Sequence, residues 1–265
     1  MSKFAKNSAN TLPSGSRNIL LLGASGGLGG ALAAHYAQPG THLLLWGRKE
    51  ARLNELAAQC REAGSSADTH ACDLMQVDEA VGALIDADER SPIEIAIFAA
   101  GQGDVRPVGA VVESAELVQR LGTINFVAQA AMAAALAERM AARGHGKIVL
   151  IGSAASFHAM PFAAAYSGSK AGLARFADAL RINMAPHGVT VTLVSPGFID
   201  TNAARQVPGP KPMIISTAQA AARIALAAEH GKAHVITPWP FALLRLFDRF
   251  LPRILRDRLL RRLAP

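Results

Sequence analysis

Apolar residues along this chain fall into short, unbroken runs separated by longer stretches of helical periodicity. The runs are NILLL (18–22), HLLLW (42–46), DTHAC (68–72), EIAIF (94–98), KIVLI (147–151), VTVTLV (189–194) and AHVI (233–236). Most lack the alternation of a strand with one wet face, as expected of strands covered on both faces. Helical stretches lie between them, at Gly27–Gln38, Lys49–Ala63, Val77–Asp86, Ala115–Arg143, Ala165–Pro186 and Thr217–His230. Strands joined by helices predict one α/β domain over residues 17–237. Its core is a doubly wound, seven-stranded, mostly parallel sheet with helices on both faces. Residues 1–16 are polar and read as a flexible tail with no signal-peptide core. Residues 238–265 read as a separate helical extension.

Two stretches stand out chemically. The first strand runs into LLGASGGLGGAL, which contains Gly23, Ser25, Gly26, Gly27, Leu28 and Gly29. A glycine-rich turn between a strand and a helix start lets backbone approach a pyrophosphate, which the helix N-terminus attracts. Glycine loops also serve as plain tight turns. The second stretch is YSGSK, which puts Tyr166 and Lys170 one helical turn apart on one face. An ammonium beside a phenol would favour the phenolate and lower its pKa from an ordinary value of roughly 10. Ser153 lies thirteen residues upstream of Tyr166.

These features come in an order that resembles the short-chain dehydrogenase/reductase family, a Rossmann-fold family, over roughly residues 17–236. The matches are the loop Gly23–Gly29, Cys72-Asp73-Leu74, Ala99-Ala100-Gly101, Asn125, Ser153, Tyr166 with Lys170, and Ser195-Pro196-Gly197-Phe198-Ile199-Asp200-Thr201. The resemblance implies an NADP(H)-dependent oxidoreductase that interconverts a carbonyl compound and an alcohol. Tyr166 would be the general acid or base, Ser153 would hold the substrate oxygen, and Lys170 would also bond the nicotinamide ribose. Asn125 would complete a proton relay; by its own chemistry it could instead satisfy broken backbone bonds in its helix. The resemblance assigns cofactor contacts to Gly23, Ser25, Gly26, Gly27, Leu28, Gly29, Arg48, Asp73, Leu74, Ala100, Gly101, Tyr166, Lys170, Pro196, Gly197, Ile199 and Thr201. Asp73 would take the adenine amino group, with a helix N-cap as the competing reading. No metal ligand is expected.

After the second strand, Gly47 stands where an acid would bond the ribose hydroxyls of NAD, and Arg48 and Lys49 follow. A guanidinium there suits a 2′-phosphate, which favours NADP. One departure from the family concerns its N-N-A-G after the fourth strand, which is Phe98-Ala99-Ala100-Gly101 here. The asparagine bonds that pin the neighbouring strands are therefore expected to be missing. Phe157, His158, Met160 and Phe162 are candidates to line an apolar substrate pocket under a lid at about 202–216, where His158 is expected to be structural or solvent-facing.

Charge changes the picture only at the C-terminus. The formal net charge is +7, yet residues 240–265 alone hold seven arginines against Asp248 and Asp257. With the basicity confined there, a nucleic-acid partner is not expected. In this segment Leu243, Leu244, Phe247, Phe250, Leu251, Ile254 and Leu255 share a helical face, opposite Arg245, Arg249, Arg253 and Arg256, and Pro252 would divide it into two helices. It could dock on the core or on another subunit, or lie on an anionic membrane surface. Two cysteines, Cys60 and Cys72, fit a reducing compartment. A cytoplasmic enzyme is expected, peripheral on the inner membrane face if the second reading holds. The family resemblance implies a homodimer or homotetramer through the two longest helices. Two rival classes stay open: an NADP-binding sensor without turnover, and a membrane-associated scaffold.

Overall fold

The computed structural model describes residues 17–262 apart from 108, 207 and 208, and without the side chains of 244, 246–249, 261 and 262. The tail expected at 1–16 lies outside the described residues. The strands are β1 (Arg17–Leu22), β2 (Thr41–Gly47), β3 (Ser66–Ala71), β4 (Ile95–Phe98), β5 (Gly146–Ile151), β6 (Val189–Pro196) and β7 (His234–Thr237). They form one sheet in the order β3-β2-β1-β4-β5-β6-β7, and every pairing is parallel. The expected seven-stranded sheet is present, and it is parallel throughout. The strand order reverses between β1 and β4, and the crevice there is where such sheets bind ligands.

Helices α1 (Gly27–Tyr36), α2 (Glu50–Glu62) and α8 (Thr217–Glu229) cover one face. Helices α3 (Val77–Arg90), α5 (Ala128–Arg143) and α6 (Ala164–Met184) cover the other. Successive residues of β1 point to opposite layers, as the strand period requires: Ile19 and Leu21 join the first core, Leu20 and Leu22 the second. The edge strand β3 starts two residues earlier than its sequence suggested and is mostly wet, with only Ala67 buried. Helix α3 runs four residues further, to Arg90.

The stretch 115–143 is not one regular helix. It begins as α4 (Ala115–Gly122), passes through a π-helical turn at Thr123–Val127 and continues as α5. In this turn the Gln129 Nε2 amide donates to the Ile124 carbonyl at 2.9 Å. Asn125, a candidate to satisfy backbone of its own helix, bonds instead the backbone of Gln102 after β4. The stretch is long and apolar enough to cross a membrane by composition, but its apolar face is core, with Met132, Leu136 and Met140 fully buried.

The glycine loop is set by the close approach of two strand ends. Gly23 has φ +91°, and a β-carbon there would lie 2.6 Å from the Ala100 amide nitrogen. Gly23→Ala should therefore destabilise the fold by at least about 2 kcal/mol through the left-handed backbone and the displaced β4 end. Thermal unfolding checks this: a loss of roughly 4–8 °C is expected for a domain of this size, and an unchanged midpoint would contradict it.

Candidate active site

At the switch point a cleft of about 150 Å³ opens between the ends of β1, β2 and β4. It is lined by Gly23, Ser25, Gly26, Arg48, Asp73, Leu74, Ala100 and Gly101, which brings together eight of the expected cofactor residues, and also by Gln102 and Ile124. A larger hollow of about 320 Å³ lies at the opposite, amino edge among Arg17, Glu94, His145 and Lys147. The charges there are already matched, since Arg17 and Lys147 both bind Glu229. The smaller cleft, at the carboxyl edge, has the donors and close backbone that a dinucleotide needs.

Inside the cleft, the Ser25 hydroxyl occupies the room beside Gly47: a β-carbon at 47 would lie 2.7 Å from its Oγ. No carboxylate can extend from that position without moving Ser25. Arg48 follows, exposed on the rim. Asp73 is not a helix N-cap, because α3 starts beyond Gln76. Its Oδ1 instead accepts from the Met75 amide at 3.0 Å in a local turn. Cys72 is buried beside it, and burial, with the Asp73 charge, pushes its thiol up to about 11. A thiol that stays protonated offers no nucleophile.

The other expected cofactor residues flank the cleft. Gly29 lies in the first turn of α1 against the Gly23 carbonyl, and Leu28 packs on the core. A β-carbon on Gly27 would lie 3.2 Å from Cγ2 of Thr201, so the segment after β6 closes over the glycine loop. Thr201 Oγ1 accepts from the Ala204 amide at the start of the short helix α7 (Asn202–Gln206). Ile199 bridges Ile215, which ties the two ends of the expected lid together. Pro196 ends β6, and Gly197 donates its amide to the Thr237 carbonyl at 2.8 Å.

Helix α6 carries Tyr166 and Lys170. The lysine is only 4% exposed, and its Nζ donates to the Ile151 carbonyl at the end of β5, at 2.8 Å. Burial pushes that ammonium down to about 8. Burial also raises the Tyr166 phenol, and a hydrogen bond with Ser153 draws it back in part. In the free protein burial thus outweighs the acidifying effect that the spacing suggested, and the Lys170 ammonium is held by the Ile151 carbonyl. Ser153 follows β5, and its Oγ accepts from the Ala155 amide at 3.1 Å.

Asn125 is wholly buried in the π turn. Its Oδ1 accepts from the Gln102 amide at 2.8 Å, and its Nδ2 donates to the Gln102 carbonyl at 2.9 Å and to Ser169 Oγ at 3.2 Å. Gln129 Nε2 also donates to the Ala100 carbonyl, at 3.0 Å. The loop after β4 is therefore clamped from the helix side. A β-carbon on Gly101 would lie 3.3 Å from Lys170 Nζ and 3.5 Å from Asn125 Oδ1, so loop, amide and ammonium meet at one point.

Two further supports escaped sequence reasoning. Glu113 is buried, and its Oε2 accepts from the Ala165 amide at 2.9 Å, capping α6 immediately before Tyr166. Nothing in the local pattern ties residue 113 to residue 165. The other lies in the particular contacts of helix α9 (Pro240–Phe250), whose docking on the core was itself one expected placement. Phe241 is buried where a β-carbon on Gly197 would strike its ring, and Arg245 lies 5.3 Å from the ring centre of Phe157. Phe157 and His158 stack edge to face at 6.4 Å, and both are half-buried with Met160 and Phe162 in the loop after β5.

Known proteins resemble this chain in sequence and in fold. Residues 17–211 match the family described as short chain dehydrogenase. An uncharacterized oxidoreductase of Myxococcus xanthus is 30% identical over 93% of this chain and 97% of its own length. The very-long-chain 3-oxoacyl-CoA reductase of Podospora anserina is 31% identical over 83% of this chain, which spans 66% of that protein. Among solved structures, a short-chain dehydrogenase from Sphingobium yanoikuyae in complex with NADPH superposes with a TM-score of 0.77 at 26% identity. It covers 89% of this chain and 97% of its own.

The Glu113 cap can be tested by itself. Glu113→Ala orphans the Ala165 amide and should cost about 1–2 kcal/mol in urea unfolding, whereas Glu113→Gln keeps an acceptor and should lose less than half as much. Equal losses would contradict the cap.

Proposed function

The chain belongs to the short-chain dehydrogenase family, and we propose that it is an NADPH-dependent reductase of an apolar ketone or aldehyde, with Tyr166 as proton donor. As a member of the family it is an oxidoreductase of CH–OH groups that works with a nicotinamide dinucleotide. The choice of NADPH and the roles of individual side chains are our reading. It is carried by the meeting of Tyr166, Ser153 and the buried Lys170 at the carboxyl edge of the sheet, beside the glycine cleft.

When bound, NADPH supplies the hydride. The residues suited to hold it are the glycine loop with Ser25, the Arg48 rim for a 2′-phosphate, Asp73 and Leu74 for the adenine, and Thr201 with Ile199 on the far side. Near neutral pH Tyr166 carries its proton, since burial raises its pKa. It can therefore donate to a carbonyl oxygen, which Ser153 holds by its hydroxyl while charge builds there. In reverse, the same oxygen removes an alcohol proton. Lys170 stays an ammonium below about pH 8 and stabilises the phenolate left behind. Asn125 keeps the loop carrying Gly101 and Gln102 beside that ammonium.

An apolar substrate fits the half-buried Phe157, Met160 and Phe162 beyond Ser153 and the segment 202–216, which we read as a lid. We also propose assembly into a homodimer or homotetramer through α4–α5 and α6, where Val118, Val127 and Ile182 are exposed. With both cysteines free and buried, a cytoplasmic location is our reading.

Two measurements test this. Tyr166→Phe should lower turnover on the best ketone of a panel by about 10³-fold while NADPH fluorescence titration stays unchanged. Retained turnover would refute the role of Tyr166. Lost coenzyme binding would show that Tyr166 serves binding. Arg48→Ala should raise the KM for NADPH by about 10- to 100-fold through the lost charge-assisted bonds and leave that for NADH nearly unchanged. Equal changes for both coenzymes would refute the assignment of Arg48 to the phosphate.

A further inference from the structure

Helix α9 rests on the body of the protein through Phe241 and Arg245, one turn apart. Arg245 faces Phe157, and its guanidinium also reaches His234 Nδ1 at 3.5 Å. Leu243 and Phe250 are seven residues apart, hence on one stripe, and they point outward, 48% and 77% exposed. Helix α10 (Arg253–Arg262) continues the exposure through Ile254, Leu255 and Leu259. Exposed apolar residues recur in the loop after β4 (Val111, Val112) and in the segment after β6 (Met213, Ile214). In a parallel sheet those connections all leave from the carboxyl edge, so they rim the same end of the molecule as the cleft.

We propose that this end rests on an anionic lipid bilayer, with the apolar stripe of α9 and α10 seated at the headgroup boundary. Charge selects this occupant over a second copy of the chain. Residues 240–265 hold seven arginines against two aspartates. Pairing two such segments would bring like charges together, whereas acidic headgroups neutralise them. Arg253 and Arg258 are exposed beside Ile254 and Leu259, and their long stems let apolar neighbours sink while the guanidinium stays at the surface. Resting on the reductase reading above, the proposal has a consequence: a lipid-like carbonyl substrate would enter from the bilayer, through the loop that holds Phe157.

The test uses the full chain and vesicles of phosphatidylcholine with or without phosphatidylserine. Co-sedimentation with the acidic vesicles, reversed by high salt, is expected. Arg253→Gln with Arg258→Gln should weaken it about 30-fold, at roughly fivefold per arginine. Phe250→Ser with Ile254→Ser should abolish it with an unchanged circular dichroism spectrum. No pelleting with acidic vesicles overturns the proposal. So does pelleting indifferent to salt and to the arginines, or a wild-type dimer that the serine variant converts to monomer. NADPH oxidation with a small water-soluble ketone, measured without vesicles, reports on the reductase reading separately and should be the same in the serine variant and wild type.

Discussion

The carboxyl edge of this molecule is organised around one buried cation. An unpaired ammonium in a protein interior costs several kcal/mol, and Lys170 meets that cost with the carbonyl that ends β5 in the middle of the sheet. For the bond to form, α6 must sit hard against the strand end. Glu113 fixes the first turn of α6, and the Arg106 amide donates to the Phe162 carbonyl just before it, at 2.8 Å. On the other side Asn125 and Gln129 hold the loop after β4, which brings Gly101 against the ammonium. Tyr166 and Ser153 take their places from the same helix and strand. The site is in this sense a by-product of satisfying one charge.

What could be read from the sequence follows from how local each feature is. The central strands β1, β4 and β5 are short unbroken apolar runs because both faces are covered, and such runs are visible without a structure. The edge strand β3 is mostly wet and its bounds were misjudged. The π turn at Thr123–Val127 was invisible, since Gln129 reaching across to Ala100 and Asn125 to Gln102 are contacts that exist only once β4 and the helix are packed. Tyr166 and Lys170 were rightly placed one turn apart, but spacing could not show that the ammonium would be held by the Ile151 carbonyl. Likewise the amphipathic pattern of residues 240–250 defined two faces of a helix without saying which one turns inward.

The C-terminal extension is joined to the reacting end by particular side chains. Phe241 fills the space beside Gly197, and its ring meets that of Phe198 at 6.4 Å. His234 bonds the buried Ser195 at 2.9 Å and packs against Phe157, which Arg245 covers from α9. A load on α9 would thus be felt first by the loop that follows Ser153 and by the turn that carries Ile199 and Thr201. Among the described residues, the fold thus joins a segment rich in exposed apolar residues and arginine to the carboxyl edge of the sheet.

The state of Lys170 bears on this account most directly. With lysine carbon-13-labelled at the ε position, the Lys170 resonance can be identified by its disappearance in Lys170→Met and followed with rising pH in the coenzyme-free protein. The ammonium should lose its proton near pH 8, well below the ordinary 10.5. Titration at or above 10.5 would mean a solvated lysine, and the centre described here would not exist.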